Sequence, residues 1–199
     1  MNYKRNIRKL VDKIQDVDMV EGIDWYKKAR IFCLKTSQKY NVPYITVCGV
    51  LAALSPRNRW ERNKIDTENL IKYKILGGDK PLFGTYNKMI EKAERVLNEP
   101  FGYNHVNRIL NGPKIKAFFD NIYNANSSEV TVDTWMLLAA MGKYMSVDER
   151  PSLSEKTYNM ISSAIKDIAL KVQLKPYELQ AVLWCAIKRL NKPTLEDQK

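Results

Sequence analysis

The chain has 199 residues, with 33 lysines and arginines against 22 aspartates and glutamates, so its formal net charge is +11 at pH 7. An excess of this size favours a polyanionic partner, because phosphate contacts release condensed counterions. No apolar run reaches the roughly 20 residues of a membrane-spanning helix, and no secretory signal follows the basic N-terminus. The sequence therefore predicts a cytoplasmic protein that binds nucleic acid, with a merely basic soluble protein as the alternative.

The cysteines do not form a metal-binding pattern. Cys33, Cys48 and Cys185 lie far apart in apolar surroundings, which is typical of buried, reduced thiols. No CxxC pair and no four-cysteine cluster occurs, and the chain has a single histidine. The sequence therefore predicts no bound metal, neither an iron–sulfur cluster nor a structural zinc.

Apolar residues recur every three or four positions along most of the chain, which indicates amphipathic helices. The segment 43–54 is apolar nearly all round and is expected to be a buried central helix. Loops are expected at 77–81 and 124–128, and a linker at 143–152. The predicted fold class is all-α, with helices at residues 5–19, 22–40, 43–54, 56–76, 85–98, 103–110, 113–124, 133–142, 153–173 and 176–190.

The segment Leu110-Asn-Gly-Pro-Lys-Ile-Lys116 predicts a short glycine turn between two helices. Glycine adopts backbone conformations that a Cβ atom resists, and proline suits the first position of the next helix. Main-chain N–H groups at that helix start, together with the helix dipole, suit a phosphate. We therefore expect Asn111, Gly112 and Lys114 to contact a nucleic-acid backbone. An ordinary helical hairpin with solvated lysines is the alternative.

Asp133 lies further along, in an apolar approach to a predicted helix start. A half-buried carboxylate beside a deoxyribose can stabilise the positive charge that develops as the glycosidic bond breaks, or position the attacking water. A partly desolvated lysine such as Lys116 can attack C1′ and form a Schiff base. This layout predicts an enzyme that removes a base from DNA. The alternative role of Asp133 is a plain helix N-cap.

Several segments, in the same order, resemble the helix-hairpin-helix (HhH-GPD, endonuclease III-like) DNA glycosylase superfamily. Leu51-Ala-Ala-Leu-Ser-Pro-Arg-Asn-Arg-Trp-Glu-Arg-Asn-Lys64 is similar to the family's buried helix and the polar loop after it. The glycine turn is similar to its Leu-Pro-Gly-Val-Gly-Arg-Lys hairpin, and Val132-Asp133-Thr134 to its Val-Asp-Thr. The resemblance covers about residues 45–140, and the chain looks closest to a small glycosylase-like group in phage and bacterial genomes.

The resemblance implies a two-lobed helical fold without an iron–sulfur cluster. One lobe would span residues 43–142 and carry the helix-hairpin-helix, and residues 1–42 with 143–199 would form the other. Lys116 would be the nucleophile and Asp133 the catalytic carboxylate. A monovalent cation at the turn is possible in this family, but here Lys114 replaces the second glycine and Asn111 the proline. The expected partner is double-stranded DNA, bound by a monomer with no obligatory protein partner.

The resemblance also implies roles for two further groups of residues. The loop after the buried helix is where relatives fill the gap left by a flipped base, so the expected wedge residues are Arg57, Asn58, Arg59 and Trp60. The conceivable lining of the base pocket is Tyr44, Trp135, Gln180 and Trp184. For both groups, packing in the core or a solvated loop is the alternative.

The sequence as a whole predicts a DNA glycosylase with AP-lyase activity, which flips a damaged or modified base out of duplex DNA and excises it. One alternative is a helix-hairpin-helix protein that binds DNA without catalysis. Another is an enzyme on the same fold that modifies a base in DNA without removing it.

Overall fold

The computed structural model describes residues 2–99, 102–143 and 151–191. All regular secondary structure in these ranges is helical, and no β-strand occurs in them, so the prediction of an all-α fold is confirmed. The helices of the described ranges are α1 (Tyr3–Val11), α2 (Asp16–Tyr40), α3 (Tyr44–Ala53), α4 (Trp60–Leu76), α5 (Asn87–Asn98), α6 (Gly102–Ile109), α7 (Pro113–Tyr123), α8 (Thr134–Met141), α9 (Glu155–Lys171) and α10 (Pro176–Leu190).

Three predicted helices begin or end elsewhere, and one of them, expected over residues 22–40, begins six residues earlier at Asp16. The single helix expected over residues 5–19 is divided, because α1 ends at Val11 and α2 begins at Asp16. The Asp18 carboxylate accepts a hydrogen bond from the Gln15 N–H at 2.9 Å, which fixes the start of α2. The helix expected from residue 56 begins at Trp60, because Arg57 has a φ of +56° and turns the chain. The predicted linker falls mostly on residues 144–150, outside the described ranges.

The chain forms two compact units with boundaries that differ from those expected. The central unit is Lys27–Ala125, and the terminal unit combines Met1–Tyr26 with Asn126–Lys199. The boundaries of these units thus differ from the expected ones at 42/43 and 142/143. Helix α8 belongs to the terminal unit because Met136 and Ala140 pack into its core. The other boundary lies inside the continuous helix α2, where no loop or linker marks it in the sequence.

The core of the central unit is built around α3, as its all-apolar sequence predicted. Every residue from Thr46 to Ala53 is buried, and α3 contacts α4, α5, α6 and α7. Gly49 permits this close packing. A Cβ atom there would lie 2.6 Å from Cγ1 of Val106 and 2.9 Å from Cγ1 of Val96. Cys33, Cys48 and Cys185 are all buried and none of them forms a disulfide with a described residue, which fits the prediction of reduced thiols.

The core of the terminal unit is formed by α1, α8, α9 and α10. Ile7 of α1 is fully buried there, and the Asn6 amide donates to the main-chain oxygen of Ala140 at 2.9 Å. Helix α8 ends at Gly142 in the left-handed conformation, with φ +70°, as expected for its C-cap. Among the described helices, none combines the length and apolar character needed to cross a bilayer.

Candidate nucleic-acid and catalytic residues

The predicted glycine turn between two helices is present. Leu110, Asn111 and Gly112 connect α6 to α7, and Pro113 takes the first position of α7. Gly112 has φ +80° and ψ 144°, a region open almost only to glycine. No atom lies within 4 Å of the position that its Cβ would occupy. The turn therefore requires glycine for its backbone conformation and not for lack of space.

The first turn of α7 has main-chain N–H groups that no capping side chain contacts. No side chain caps the helix, and the main-chain N–H of Lys116 donates to Gly112 O at 3.2 Å. Asn111 and Gly112 are exposed, while Lys114 and Lys116 are half-buried. Being two residues apart on a helix, these lysines point about 200° apart around its axis. Neither forms an ion pair with another described residue, so both ammonium groups are available to an anion.

Asp133 caps the start of α8, as predicted. Its Oδ1 accepts a hydrogen bond from the main-chain N–H of Met136 at 2.9 Å, and its side chain is half-buried. The approach to it is fixed by Tyr158, whose hydroxyl donates to Val130 O at 2.7 Å and accepts from Val132 N–H at 3.3 Å. Burial raises the pKa of Tyr158, so this clamp stays protonated. Lys116 belongs to the central unit and Asp133 to the terminal unit.

The loop before α4 is held by a buried carboxylate that sequence reasoning did not identify. Asp66 of α4 is fully buried and accepts three hydrogen bonds: from Asn58 Nδ2 at 2.8 Å, Arg62 Nε at 2.6 Å and Gly84 N–H at 2.8 Å. Asn58 also donates to Leu54 O at 3.3 Å. Its side chain therefore holds the loop in place, and its expected role as a wedge stays a prediction.

The other expected wedge residues remain at the surface of this loop. Arg57 and Arg59 are exposed, and the Arg57 guanidinium lies 5.4 Å from the ring centroid of Tyr86. Trp60 is half-buried at the start of α4, with the Lys64 ammonium 5.5 Å from its ring centroid. The loop thus presents two arginines and leaves the aromatic ring partly packed.

The residues expected to line a base pocket divide between the two units. Tyr44 belongs to the central unit, where its hydroxyl donates to Ile122 O at 3.1 Å. Trp135, Gln180 and Trp184 belong to the terminal unit. Trp135 and Trp184 pack at the edge of its core and are half-buried. For Trp135, this packing supports the alternative of a structural role.

Gln180 is buried beside a group of aromatic rings in the terminal unit. Its Oε1 accepts a hydrogen bond from the Tyr26 hydroxyl at 2.9 Å. Trp184 lies one helical turn further along α10, with its ring centroid 6.4 Å from that of Trp25. The ammonium of Lys188 lies 3.9 Å from the Trp184 ring centroid, a close cation–π contact. A buried amide thus lies beside half-exposed aromatic side chains.

Lys92 is a functional candidate that sequence reasoning missed. Its side chain lies in α5 and is only 9% exposed. Burial, reinforced by the nearby charge of Lys88, holds the pKa of its ammonium below the usual lysine value. A lysine with a lowered pKa is a better nucleophile at neutral pH. No sequence pattern could identify it, because its burial arises only once α5 packs.

Surface grooves occur in both units. One, of about 1160 Å³, lies in the terminal unit along α1 and α9 and does not include Asp133. Another, of about 620 Å³, lies in the central unit and is lined mainly by tyrosines. Among the described residues, no group of three or more His, Cys, Asp or Glu side chains is placed to hold a metal ion.

Comparison with known protein families identifies a family for this chain. A family described as "Family of unknown function (DUF7178)" matches residues 1–191. No curated protein and no solved structure matches the chain.

Proposed function

We propose that this chain, which belongs to the DUF7178 family, is a DNA glycosylase with AP-lyase activity that acts on duplex DNA. The observation that carries the proposal is the hairpin of α6 and α7, with its glycine-dependent turn and uncapped second helix. The net charge of +11 supports a polyanionic partner. The resemblance to helix-hairpin-helix glycosylases supplies the reaction.

The hairpin supports binding of the DNA backbone. The first N–H groups of α7 have no side-chain cap, and the positive end of the helix dipole coincides with them. A phosphate there would accept hydrogen bonds from main-chain groups that are otherwise left to water. Lys114, in the first turn, would add a positive charge in place of the glycine that the family carries. Such contacts fix the register of the protein on DNA without reading its sequence.

In the proposed reaction, Lys116 supplies the nucleophile. Its neutral amine attacks C1′ while the bond between C1′ and the base breaks, and the base leaves with the bonding electrons and takes up a proton. The amine then loses a proton as the sugar ring opens, which leaves an imine between Nζ and C1′. Elimination of the 3′ phosphate from this imine would cut the strand.

In the same reaction, Asp133 supplies negative charge. A half-buried carboxylate stabilises the positive charge that develops on the sugar more strongly than a solvated one would, because the local dielectric is lower. The hydrogen bond from the Met136 N–H fixes the position of Asp133 Oδ1. This preorganisation supports a role in the transition state, in addition to capping α8.

The proposal is tested by borohydride trapping on duplex DNA that contains one abasic site. Borohydride reduces an imine to a stable amine, so a lyase becomes covalently linked to the DNA. The variants are Lys116→Ala, Lys114→Ala, Asp133→Asn and Lys92→Ala. Lys92→Ala tests the rival nucleophile, since Lys92 is buried and the pKa of its ammonium is lowered. We expect an adduct with the wild type, Lys114→Ala and Lys92→Ala, and none with Lys116→Ala.

The other outcomes are distinct. Loss of the adduct only in Lys114→Ala or Lys92→Ala would assign the nucleophile to that lysine and reject Lys116. No adduct with any variant, together with release of free base from modified DNA, would leave a glycosylase that uses water. No adduct, together with a base that stays attached and keeps its mass, would favour the non-catalytic DNA-binding protein. A base altered in mass but still attached would indicate the base-modifying enzyme.

A further inference from the structure

A groove of about 620 Å³ in the central unit is walled by aromatic side chains. We call it the tyrosine groove and define it by Tyr44, Tyr103, Tyr123 and Asp120. The ring centroid of Tyr123 lies 5.9 Å from that of Tyr44 and 5.8 Å from that of Tyr103. The corresponding ring planes are inclined by only 31° and 36°. The three rings therefore form one aromatic cluster, in which Tyr123 lies close to both of the others.

The three tyrosine rings are held in place by a buried phenylalanine ring and by a hydrogen bond to the main chain. Phe119 is fully buried, and its ring stacks on Tyr103 at 5.4 Å and on Tyr123 at 5.8 Å. The Tyr44 hydroxyl donates to Ile122 O at 3.1 Å, and burial raises its pKa, so it remains a donor. Despite this support, Tyr103 and Tyr123 each remain 36% exposed. Fixed and exposed aromatic surface of this kind suits stacking, because little side-chain entropy is lost when a ligand binds.

A carboxylate gives the tyrosine groove a polar preference. The Tyr103 hydroxyl donates to Oδ1 of Asp120 at 2.7 Å. An ionised carboxylate has two oxygens with about four acceptor positions and no donor. It therefore favours a ligand that offers N–H groups beside its flat face. Cytosine, adenine and guanine carry such an exocyclic amino group, whereas thymine does not.

From these contacts we infer that the tyrosine groove binds an unpaired, amino-bearing base of a DNA strand (cytosine, adenine or guanine but not thymine), stacked on Tyr103 and Tyr123 with its amino group towards Asp120. The groove lies at the far end of the hairpin from Gly112, because α6 begins near Tyr103 and α7 ends at Tyr123. Along α7 that separation is about 15 Å. It corresponds to about four or five nucleotides of a stacked strand. The inference rests on the proposed function only in taking DNA as the partner.

The test measures binding of the full chain to labelled single-stranded 12-mers of dC, dA and dT and to an abasic 12-mer, by fluorescence anisotropy. We expect tighter binding of dC and dA than of dT. Tyr123→Ala should weaken binding of dC and dA about tenfold, the loss typical of one stacked base, and leave the abasic strand unchanged. Asp120→Asn should reduce the ratio between the dC and dT affinities. Tyr73→Ala, a half-buried tyrosine of α4, is the matched control.

Three results would overturn the inference. Equal weakening for base-containing and abasic strands would show that Tyr123 acts through the fold or the backbone. Unchanged dC binding by a folded Tyr123→Ala would show that no base stacks there. Deoxycytidine binding as tightly as the dC strand would assign the groove to a free nucleoside. If Tyr123→Ala does not fold, Tyr123→Leu keeps the apolar bulk without the flat ring. None of these results depends on imine trapping, so the two proposals can fail separately.

Discussion

The hydroxyl of Tyr26 donates its one hydrogen to Oε1 of Gln180, 2.9 Å away. The hydroxyl of Thr131 lies 3.2 Å from the same oxygen of Tyr26, so it is placed to donate to it in turn. This chain of hydrogen bonds fixes which end of the Gln180 amide is the acceptor. Its amino end is thereby directed away from the Tyr26 hydroxyl.

Tyr26→Phe should lower the free energy of unfolding by about 1 to 2 kcal/mol, because it leaves the buried Gln180 oxygen without its donor. Urea denaturation of the variant and of Tyr73→Phe would measure this, since Tyr73 lies outside the network. The double variant with Gln180→Met should recover part of the loss, because neither polar partner then remains buried. A loss as large in the double variant as the sum of both single losses would argue against the pairing.

Gly22→Ala should destabilise the terminal unit by about 1 to 3 kcal/mol, the range for overpacked sites. A Cβ atom at position 22 would lie 2.5 Å from both Cα and N of Val182, so the main chains of α2 and α10 would have to separate. Glu21→Ala is the control, because Glu21 is the exposed neighbour on the same helix. Since the closest atoms belong to the main chain, adding Val182→Ala should not restore stability. Full recovery in that double variant would contradict this contact.

The ion pair of Asp18 and Arg189 should make the free energy of unfolding depend on pH in the acid range. The Arg189 side chain, which donates to Asp18 Oδ2 at 2.7 Å, lowers the pKa of that carboxyl below its ordinary value, and the Gln15 N–H assists against the opposing effect of burial. A carboxylate with a lowered pKa in the fold contributes its full stabilisation above about pH 4, and this is lost as pH falls through the folded pKa. Asp18→Asn should therefore be less stable at pH 7.

The measurement for this pair is the melting temperature of wild type and Asp18→Asn between pH 2.5 and pH 7. The difference between the two proteins should narrow as the pH falls, because protonation removes the same charge that the substitution removes. Asp79→Asn, in an exposed loop, provides the comparison. A difference that stays constant over the range would show that the charge of Asp18 contributes nothing.

Two substitutions of Asp133 should separate its structural role from its chemical one. Serine also caps helices, so Asp133→Ser should keep stability within about 0.5 kcal/mol, whereas Asp133→Ala should lose about 1 kcal/mol. If the carboxylate acts on the sugar, both variants should lose glycosylase activity alike. Thermal melting and a base-release assay on modified duplex DNA measure the two effects. An Asp133→Ser variant with full activity would reduce Asp133 to a helix cap.

The sequence could predict those features that depend on neighbouring residues. The buried helix α3, the glycine conformation at 112, the Asp133 cap and the left-handed Gly142 all follow from local composition and spacing. Each rests on a preference of a few adjacent residues, which the linear order displays directly. These local features could therefore be predicted from the sequence alone.

Features that depend on distant residues were not predictable in this way. The break before α2 involves Asp18 and Arg189, which are 171 positions apart. The periodic apolar pattern continues through that break, so it gave no indication of it. Likewise, the sequence around Asn58 predicts an exposed loop residue. Only folding places Asp66 where it accepts hydrogen bonds from both Asn58 and Gly84. The tyrosine groove joins residues from the start of α3 and both helices of the hairpin, an assembly that only the packed central unit reveals.

The terminal unit combines the first and the last segments of the chain, so its core can be completed only late in synthesis. Helix α1 packs on α8, α9 and α10, so the apolar face of Ile7 and Leu10 lacks part of its native packing until the last of these is made. At ribosomal rates of 5–20 residues per second, the roughly 165 residues between them take about 10 to 30 s. The central unit emerges complete within that interval and can fold first. During synthesis, the N-terminal helix is therefore the segment most exposed to chaperones, and to association between nascent chains.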